Sequence, residues 1–404
     1  MKRWKKIALV LIGLLLLSQT PFVYRRYRLG RLGAAIASLN SERAAAPADD
    51  RYEDYAGVFH VHSSLGGHST GTLAEIVQAA KADRLAFVLM TEHPDALVNT
   101  AEATLHGTHE GVVFVGGSEI AASNGGRLFV APGLSASDPN ASLQELVTCA
   151  KTDGRLAVVG YPEQVNDWDL NGYDAIEVYN LYTNSKRISY PVLFFDGLWS
   201  YRSYPDLLFA RFYERPDANL RRWDEINAAG RQRAFAVAGN DAHANVGVAL
   251  RDQTGRQILG IKLDPYERSF RVVRNHVLLE KGETPSAENL VAALRGGHSY
   301  IAFDLFGDST GFRFTADNGT DRRSMGEEIA LPASGGVRLA SHSPLKCRTL
   351  FFRDGQVVQE VKDSTQAELN ADRPGVYRVE LYLDQLGSLL EGKPWVISNP
   401  IFVR

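Results

Sequence analysis

This chain has little cysteine, no dense block of positive charge in its body and no small-residue cleavage site directly behind its apolar N-terminus. Its 404 residues include only Cys149 and Cys347, which lie far apart and form neither a zinc knuckle nor a redox pair by spacing. We expect two buried thiols. The formal net charge is -3, so avid, sequence-independent nucleic-acid binding is not indicated. Hydrophobic content of 45% and charged content of 23% are ordinary for a folded protein, and the length suffices for two domains.

The N-terminal segment has the composition of a membrane anchor. A basic stretch precedes an apolar run from Ile7 to Leu17, and apolar residues continue to Tyr24. The strict run has the length of a signal-peptide core, whereas the extended segment approaches the roughly 20 residues that span a bilayer. An aromatic and basic border, residues 24–28, follows it. We interpret residues 1–28 as an uncleaved signal anchor rather than a cleaved signal, and we expect the body on the extracytoplasmic, periplasmic side.

The rest of the chain divides into a linker and two domains. Residues 29–50 are small and polar, which is typical of a flexible tether. Over residues 51–304, apolar strand candidates alternate with helical patterns at 72–83, 143–151 and 219–230, which predicts an α/β parallel sheet or barrel. Residues 305–404 instead show short alternating strands, with a hairpin signal at Asp354-Gly355, and predict a small β-sandwich. An aromatic stretch, residues 190–216, is either a helical insertion on the barrel or a wall for substrate.

Six residues of metal-ligand type lie near the ends of predicted strands. They are His60, His62, His93, Glu119, Asp241 and His243. Alternate side chains of a strand share a face, so a His-x-His pair can grip one divalent cation. Carboxylates add negative charge and can bridge two cations. In α/β barrels such residues meet at the C-terminal ends of the strands, so the pattern indicates a metal-dependent hydrolase.

The motifs resemble those of the PHP (polymerase and histidinol phosphatase) family over residues 57–303. They are His60-x-His62, Thr91-Glu92-His93, the Glu119 motif and Asp241-x-His243. The resemblance implies a distorted seven-stranded (β/α) barrel that carries two or three divalent metals, here followed by the all-β sandwich. It assigns His60, His62, Glu119 and Asp241 to a first metal, and His93 and His243, with His68, to another. Zn, Mn and Fe all suit such ligands.

The chain departs from the family pattern at two ligand positions. Tyr161-Pro162 stands where a His-Pro dipeptide is usual, and Arg127 stands near the place of another ligand histidine. We therefore expect a centre with two ions, or one, rather than three. The C-terminal sequence also resembles the branch that contains carbaryl hydrolases, in which the bond cleaved is a carbamate ester.

Three functions remain open from the sequence. The first is a phosphoesterase for a phosphodiester or nucleotide-type substrate, the second an ester, amide or carbamate hydrolase, and the third a membrane-tethered, non-catalytic metal module. A small-molecule or nucleotide-type substrate is the expected partner, besides the membrane. We expect Asp241, Tyr161 and Arg127 to act in catalysis. Further predicted contacts for substrate or ligands are Asn180, Lys186, Arg187, Glu177 and Glu92.

Overall fold

The structure is a computed structural model that describes residues 3–47, 51–134, 138–186, 189–251 and 257–404. A long N-terminal helix, α1 (Arg3–Ser41), leads into the body. The elements of the first domain are β1 (Tyr52–Val61), α2 (Leu73–Ala82), β2 (Phe87–Met90), α3 (Thr100–Ala103), β3 (Gly107–His109), β4 (Val112–Val115), β5 (Ser118–Ala121), β6 (Arg127–Ala131), α4 (Leu143–Thr152), β7 (Leu156–Gly160), β8 (Ala175–Asn180), α5 (Leu181–Ser185), α6 (Tyr190–Ser200), α7 (Pro205–Leu208), α8 (Asp217–Ala228), β9 (Phe235–Ala242), β10 (Gly247–Arg251), β11 (Gln257–Lys262), α9 (Tyr266–Ser269), β12 (Arg274–Glu280), α10 (Ala287–Gly296) and β13 (Ser299–Ala302). The C-terminal strands are β14 (Arg313–Asp317), β15 (Arg322–Ser324), β16 (Glu328–Ile329), β17 (Val337–Arg353), β18 (Gln356–Ala371), β19 (Gly375–Tyr382), β20 (Val396–Ser398) and β21 (Ile401–Val403).

Capping residues that are close in sequence define the first residues of two helices. Thr72 caps α2 by accepting from the backbone N–H of Glu75, and the Glu75 carboxylate accepts from the Thr72 backbone in return. Ser142 and Glu145 form the same capping box at α4. Each box satisfies N–H groups that a helix leaves unpaired at its start. These two helices therefore begin where the sequence predicts them.

The barrel of the first domain is mixed rather than uniformly parallel. β9, β1, β2 and β4 pair in parallel in that order, and β7, β8 and β9 are also parallel. β6 runs antiparallel to both β5 and β7, and the sheet closes on itself. The α/β prediction is confirmed in this coarse form. Strict alternation of strand and helix is not found, because β4, β5 and β6 follow one another through short connections.

The C-terminal strands form a second domain that is antiparallel except for the parallel β16–β21 pair, and its sheet continues into the first. β17 pairs with β14, β18 and β19, and β20 joins β19 to β13 of the first domain. Asp354 and Gly355 both have positive φ in the predicted β17–β18 hairpin, as a type I′ turn requires. One cluster of buried apolar residues, including Trp223 of α8 and Trp395, spans both domains. The two domains therefore share a core.

The segment expected to be a flexible tether is structured over much of its length. α1 continues to Ser41, and Leu29 and Leu32 are buried against the body. The side chain of Asn40 accepts a hydrogen bond from the Asp308 backbone at 3.0 Å. Composition alone suggests a tether because alanine, glycine and serine are small, but small residues also let a helix pack closely. One further expectation is corrected: Cys149 is exposed on α4, whereas Cys347 is buried as expected.

Candidate metal centre

Three residues of the centre have backbones in the left-handed region. His60, Tyr161 and Asp241 have φ of 68°, 47° and 49°. His60 lies where the register of β1 shifts against both β2 and β9. The regular strand alternation that the sequence predicts is therefore interrupted between His60 and His62. The bulge at His60 directs its ring towards His62 instead. A left-handed backbone at a residue other than glycine costs about 1–3 kcal/mol.

The first group of ligand-type atoms surrounds one carboxylate oxygen. Oε2 of Glu119 lies 3.0 Å from Nε2 of His60 and 3.0 Å from Nε2 of His62. Oδ1 of Asp241 lies 3.4 and 3.6 Å from the same two nitrogens. All four side chains are buried. The structure thus brings together the four residues that the family resemblance assigns to a first metal.

The second group consists of stacked imidazoles. The ring of His62 lies between those of His93 and His243, at centroid distances of 4.6 and 4.4 Å. Nε2 of His93 is 3.8 Å from Oε2 of Glu119, and Nδ1 of His243 is 3.3 Å from Oδ1 of Asp241. One oxygen of each carboxylate, Oε2 of Glu119 and Oδ1 of Asp241, therefore faces both groups. His62 belongs to both groups, which the resemblance does not imply.

The other oxygen of each carboxylate is held by a residue of this chain. Nη1 of Arg127 donates to Oε1 of Glu119 at 2.5 Å. The hydroxyl of Tyr161 donates to Oδ2 of Asp241 at 2.7 Å. The Arg127 guanidinium also lies 5.0 Å from the centre of the Tyr161 ring. The two residues at the unusual ligand positions thus form one unit that orients both carboxylates.

A buried acid fixes the His60 ring from behind. Oε1 of Glu177 lies 2.5 Å from Nδ1 of His60, which leaves Nε2 directed at Glu119. Asn180 donates to the same carboxylate at 3.3–3.4 Å. A Cβ added at Gly239 would lie 1.8 Å from that Glu177 oxygen, so glycine leaves the space in which the pair sits. A carboxylate behind a histidine is the arrangement that sets the tautomer of a metal-binding imidazole.

Burial and charge set the protonation of these groups. Burial lowers the pKa of His62 and of His93 to about 4, so both rings are neutral and have a free nitrogen lone pair at neutral pH. Burial also opposes a charge on His60, but the carboxylates of Asp241, Glu177 and Glu119 outweigh it and raise the pKa of His60 well above its ordinary value. Burial raises the pKa of Glu177 to about 7.

The donor set fits a divalent cation. Two ligands about 2.1 Å from one ion, at right to tetrahedral angles, lie roughly 3.0–3.4 Å apart. The nitrogens and oxygens of the first group are separated by 3.0–3.6 Å. Oδ1 of Asp241 is buried and accepts no hydrogen bond within the described part of the chain. A cation here would satisfy that oxygen and take the place of the proton on His60.

The remaining predicted residues fall at different distances from the centre. The His68 ring lies 4.8 Å from the ring of His93, at the edge of the second group. Asn180 donates to Asp241 at 3.3 Å, and Lys186 lies over the ring of Tyr182 at 4.4 Å. Glu92 instead accepts from the backbone of Ser63 and from Thr104, so it supports a loop. Arg187 lies outside the described residues.

Two tyrosines at the centre are missed by the sequence reasoning. The ring of Tyr182 lies 5.9 Å from that of His243. Tyr182 could have been found, since it follows Asn180 at a strand end. The hydroxyl of Tyr266 donates to the His62 carbonyl at 2.5 Å and so fixes the backbone of the first motif. Nothing in the local sequence around Tyr266 indicates this role.

Comparisons with known proteins find likenesses among solved structures only. No family model and no curated protein matches the sequence. One similar structure is a two-domain protein from Bacteroides vulgatus containing a predicted PHP-like metal-dependent phosphoesterase, at 14% identity and a TM-score of 0.42, over 89% of this chain and 98% of that one. Another is PsfC from Pseudomonas syringae, at 17% identity and a TM-score of 0.36, over 62% and 92%. At these scores the likenesses carry no argument about the site, which rests on its own geometry. The first of them is described as PHP-like, the family whose metal motifs this sequence resembles.

Proposed function

We propose that this protein is a metal-dependent hydrolase of PHP type that cleaves a phosphoester with a metal-activated water. The observation that carries the proposal is the pair of carboxylates, Glu119 and Asp241, each with one oxygen facing both histidine groups. Carboxylates in such positions can bridge two ions, so we propose two, of Zn, Mn or Fe. Bound divalent ions supply a water of lowered pKa and a positive charge for the developing oxyanion.

We propose separate roles in the reaction for Asp241, Tyr161 and Arg127. Asp241 would ligate the bound ions through Oδ1, which carries no hydrogen bond among the described residues, and would so orient the attacking water. Tyr161 holds the opposite oxygen of Asp241 and so keeps Oδ1 aimed at the ions. Arg127 does the same for Glu119. Burial and the neighbouring carboxylates raise the pKa of Tyr161, so its hydroxyl keeps its proton and remains a donor.

The charge around the centre supports an anionic substrate. The Arg127 side chain is 34% exposed, and only one of its donors is committed to Glu119. Lys186 lies on Tyr182, which neighbours His243. Both cations reach the surface, as do the side chains of His93 and His243 in part. A phosphodiester or nucleotide-type phosphate would meet the remaining donors of the guanidinium in the geometry that arginine favours.

The two other functions receive less support. A hydrolase of neutral esters or carbamates predicts an aromatic wall from residues 190–216. In this region Tyr213 instead stacks on Phe303 in the core, and Phe195 lies against Phe22 of α1. A purely structural metal site usually has its coordination closed by Cys and His ligands, whereas this donor set includes the two carboxylates Glu119 and Asp241.

We also propose that α1 anchors the protein in a membrane. It is long and apolar enough to cross one, and the apolar window in it is exposed throughout. Basic residues flank the window on both sides, so charge gives little indication of orientation. We propose that the body lies on the extracytoplasmic side, because an N-terminal segment of this type usually starts translocation.

One set of assays tests the function. The full-length protein in detergent is analysed for bound metal and assayed on chromogenic phosphodiester, phosphomonoester, carboxyl-ester and carbamate substrates. We expect bound metal and phosphodiester cleavage, both lost in His60→Ala with Asp241→Ala. An unchanged rate in that double variant, or carbamate as the best substrate, overturns the proposal.

A variant at Arg127 tests the substrate class. Arg127→Met should lower phosphodiester cleavage at least tenfold more than ester cleavage, since only the former loses a charge-assisted contact. Equal losses on both substrates would mean that Arg127 acts only by positioning Glu119. Arg222→Met, at a partly exposed arginine of α8, is the matched control and should change neither rate.

The anchor is tested separately by extraction of native membranes. We expect the full-length protein to stay in the membrane pellet through washes with high salt and with carbonate, and to require detergent for release. Release by salt alone contradicts a membrane-spanning α1.

A further inference from the structure

The helix α6 has its polar side turned inward and its apolar side turned to solvent. Phe194 and Leu198 are 65% and 69% exposed, and Trp199 is also exposed. Asp196 and Ser200 on the same helix are buried, with 2% and 1% exposure. Surface helices in water have the opposite arrangement, because their apolar stripe faces the core. An outward apolar face on an ordered helix indicates an apolar medium or partner beside it.

Charge pairing holds this inverted orientation. The carboxylate of Asp196 pairs with Arg25 of α1 at 2.7 Å and with Arg211 from the segment after α7. Rotating the helix to bury Phe194 would pull the carboxylate away from both arginines. Separating a buried acid from its partners is strongly unfavourable. The outward position of the apolar side chains is therefore fixed by the fold.

The exposed face lies beside the apolar part of α1. The rings of Phe195 and Phe22 are 5.0 Å apart, and the Trp199 indole donates to the Gln19 side chain at 3.1 Å. Arg26 donates to the Trp199 carbonyl at 2.5 Å. The apolar stretch of α1 from residue 7 to residue 24 has 18 residues and so is about 27 Å long, close to the ~30 Å of a bilayer core. α6 therefore packs on the last turns of that stretch, at the level where α1 would leave the membrane.

We infer that α6 lies in the surface of the same bilayer that α1 crosses, with Phe194 and Leu198 among the acyl chains and Trp199 at the headgroup level. The partner is a phospholipid membrane, and the inference rests on the proposed anchor. Tryptophan prefers this depth, and helices with one apolar face lie in this plane. Membrane contact at both α1 and α6, two elements joined by Arg25–Asp196, fixes the orientation of the body on the membrane.

Depth-dependent quenching tests the inference in the full-length protein. Phe194→Cys and Leu198→Cys are made in a Cys149→Ser background, since the other native thiol is buried. Each is labelled with an environment-sensitive fluorophore and reconstituted in phosphatidylethanolamine–phosphatidylglycerol vesicles with and without acyl-chain spin-labelled lipid. Leu17→Cys reports the anchor, and Val357→Cys is an exposed apolar control on the second domain. At both α6 sites we expect at least half of the fluorescence quenching measured for Leu17→Cys, and at Val357→Cys we expect none.

The outcomes separate this inference from the anchor and from the enzyme. Quenching at Leu17 but not at the α6 sites overturns the membrane role of α6 and leaves the anchor standing. No quenching at Leu17 overturns both. Neither result bears on the metal centre, which the activity assays test.

A second measurement does not depend on labelling. Brominated lipids should quench part of the native tryptophan fluorescence, and Trp199→Phe should remove a measurable share of that quenching. An identical quenched fraction in the wild type and in Trp199→Phe would place Trp199 away from the lipid and overturn the inference.

Discussion

Replacing Glu177 by glutamine should weaken metal binding without unfolding the protein. Glu177 is buried and acts on the centre mainly through His60, by the 2.5 Å contact at Nδ1. Glutamine keeps the shape and one acceptor oxygen but removes the charge. That one oxygen must also serve Asn180, which now reaches the carboxylate at 3.3–3.4 Å. The His60 ring therefore loses part of its orientation and some of the basicity of Nε2.

The size of the effect follows from this arrangement. Loss of a partner that orients a metal-binding histidine typically costs 10–100-fold in affinity or activity. A factor of this size corresponds to about 1.4–2.7 kcal/mol. We expect the upper half of that range, because His60 and Glu177 are both fully buried and water cannot replace the lost charge.

A matched variant separates the local effect from a general one. Glu92 is also a fully buried acid next to a motif histidine, but it holds Ser63 and Thr104 rather than a ligand ring. Zn²⁺ or Mn²⁺ is titrated into metal-stripped protein by calorimetry, and thermal unfolding checks the fold. Glu177→Gln should lose metal affinity, whereas Glu92→Gln should lose stability and keep metal affinity. Wild-type affinity in Glu177→Gln, or an equal loss in both variants, would refute the reasoning.

Three further variants probe other parts of the structure. Gly239→Ala should destabilise the protein by about 1–3 kcal/mol and lower its metal affinity, because the added Cβ would overlap the Glu177 carboxylate. Thermal unfolding and calorimetry measure the two effects, and Gly197→Ala, at a glycine with open space around it, is the control. Tyr161→Phe should lower kcat about tenfold with little change in metal content, since it removes only the hydroxyl that orients the buried aspartate; an unchanged kcat would contradict that role. Two buried aspartates outweigh the burial of His276 and raise its pKa to about 10, so its contribution to stability is complete below pH 6.5 and is lost as the pH rises towards 10. The free energy of unfolding should fall by about 5 kcal/mol at most over this pH range. Thermal unfolding midpoints measured in detergent at pH 6, 8 and 10 should therefore fall in the wild type but not in His276→Asn. A parallel fall in His276→Asn would exclude this residue as the cause.

Several elements follow from local chemistry and are therefore visible in the sequence. The helix after Thr72 begins there because a capping box needs only residues three apart. The β17–β18 hairpin forms at Asp354-Gly355 because both positions tolerate positive φ. The metal motifs are recognisable because each is a short run at a strand end. Other features depend on distant partners: the bulge at His60 needs β2 and β9, and the reversed direction of β6 needs β5 and β7.

The same division holds for the two unusual ligand positions and for the N-terminus. The sequence shows that Tyr161 and Arg127 stand where histidines are usual, but only the fold shows them holding the outer oxygens of Asp241 and Glu119. The sequence shows an apolar N-terminal run, yet only packing shows α1 continuing as a helix along the body.

The sequence by itself determined the set of candidate ligand residues, the α/β class and the capped helices, because these depend on residue type and short spacing. Tertiary structure alone decided which oxygen of each carboxylate faces the metal groups, why His62 belongs to both groups, and why α6 turns its apolar side outward. The physical reason is that hydrogen bonds and ion pairs between residues far apart in the chain, such as Glu177 with His60 and Arg25 with Asp196, fix orientations that no local pattern encodes.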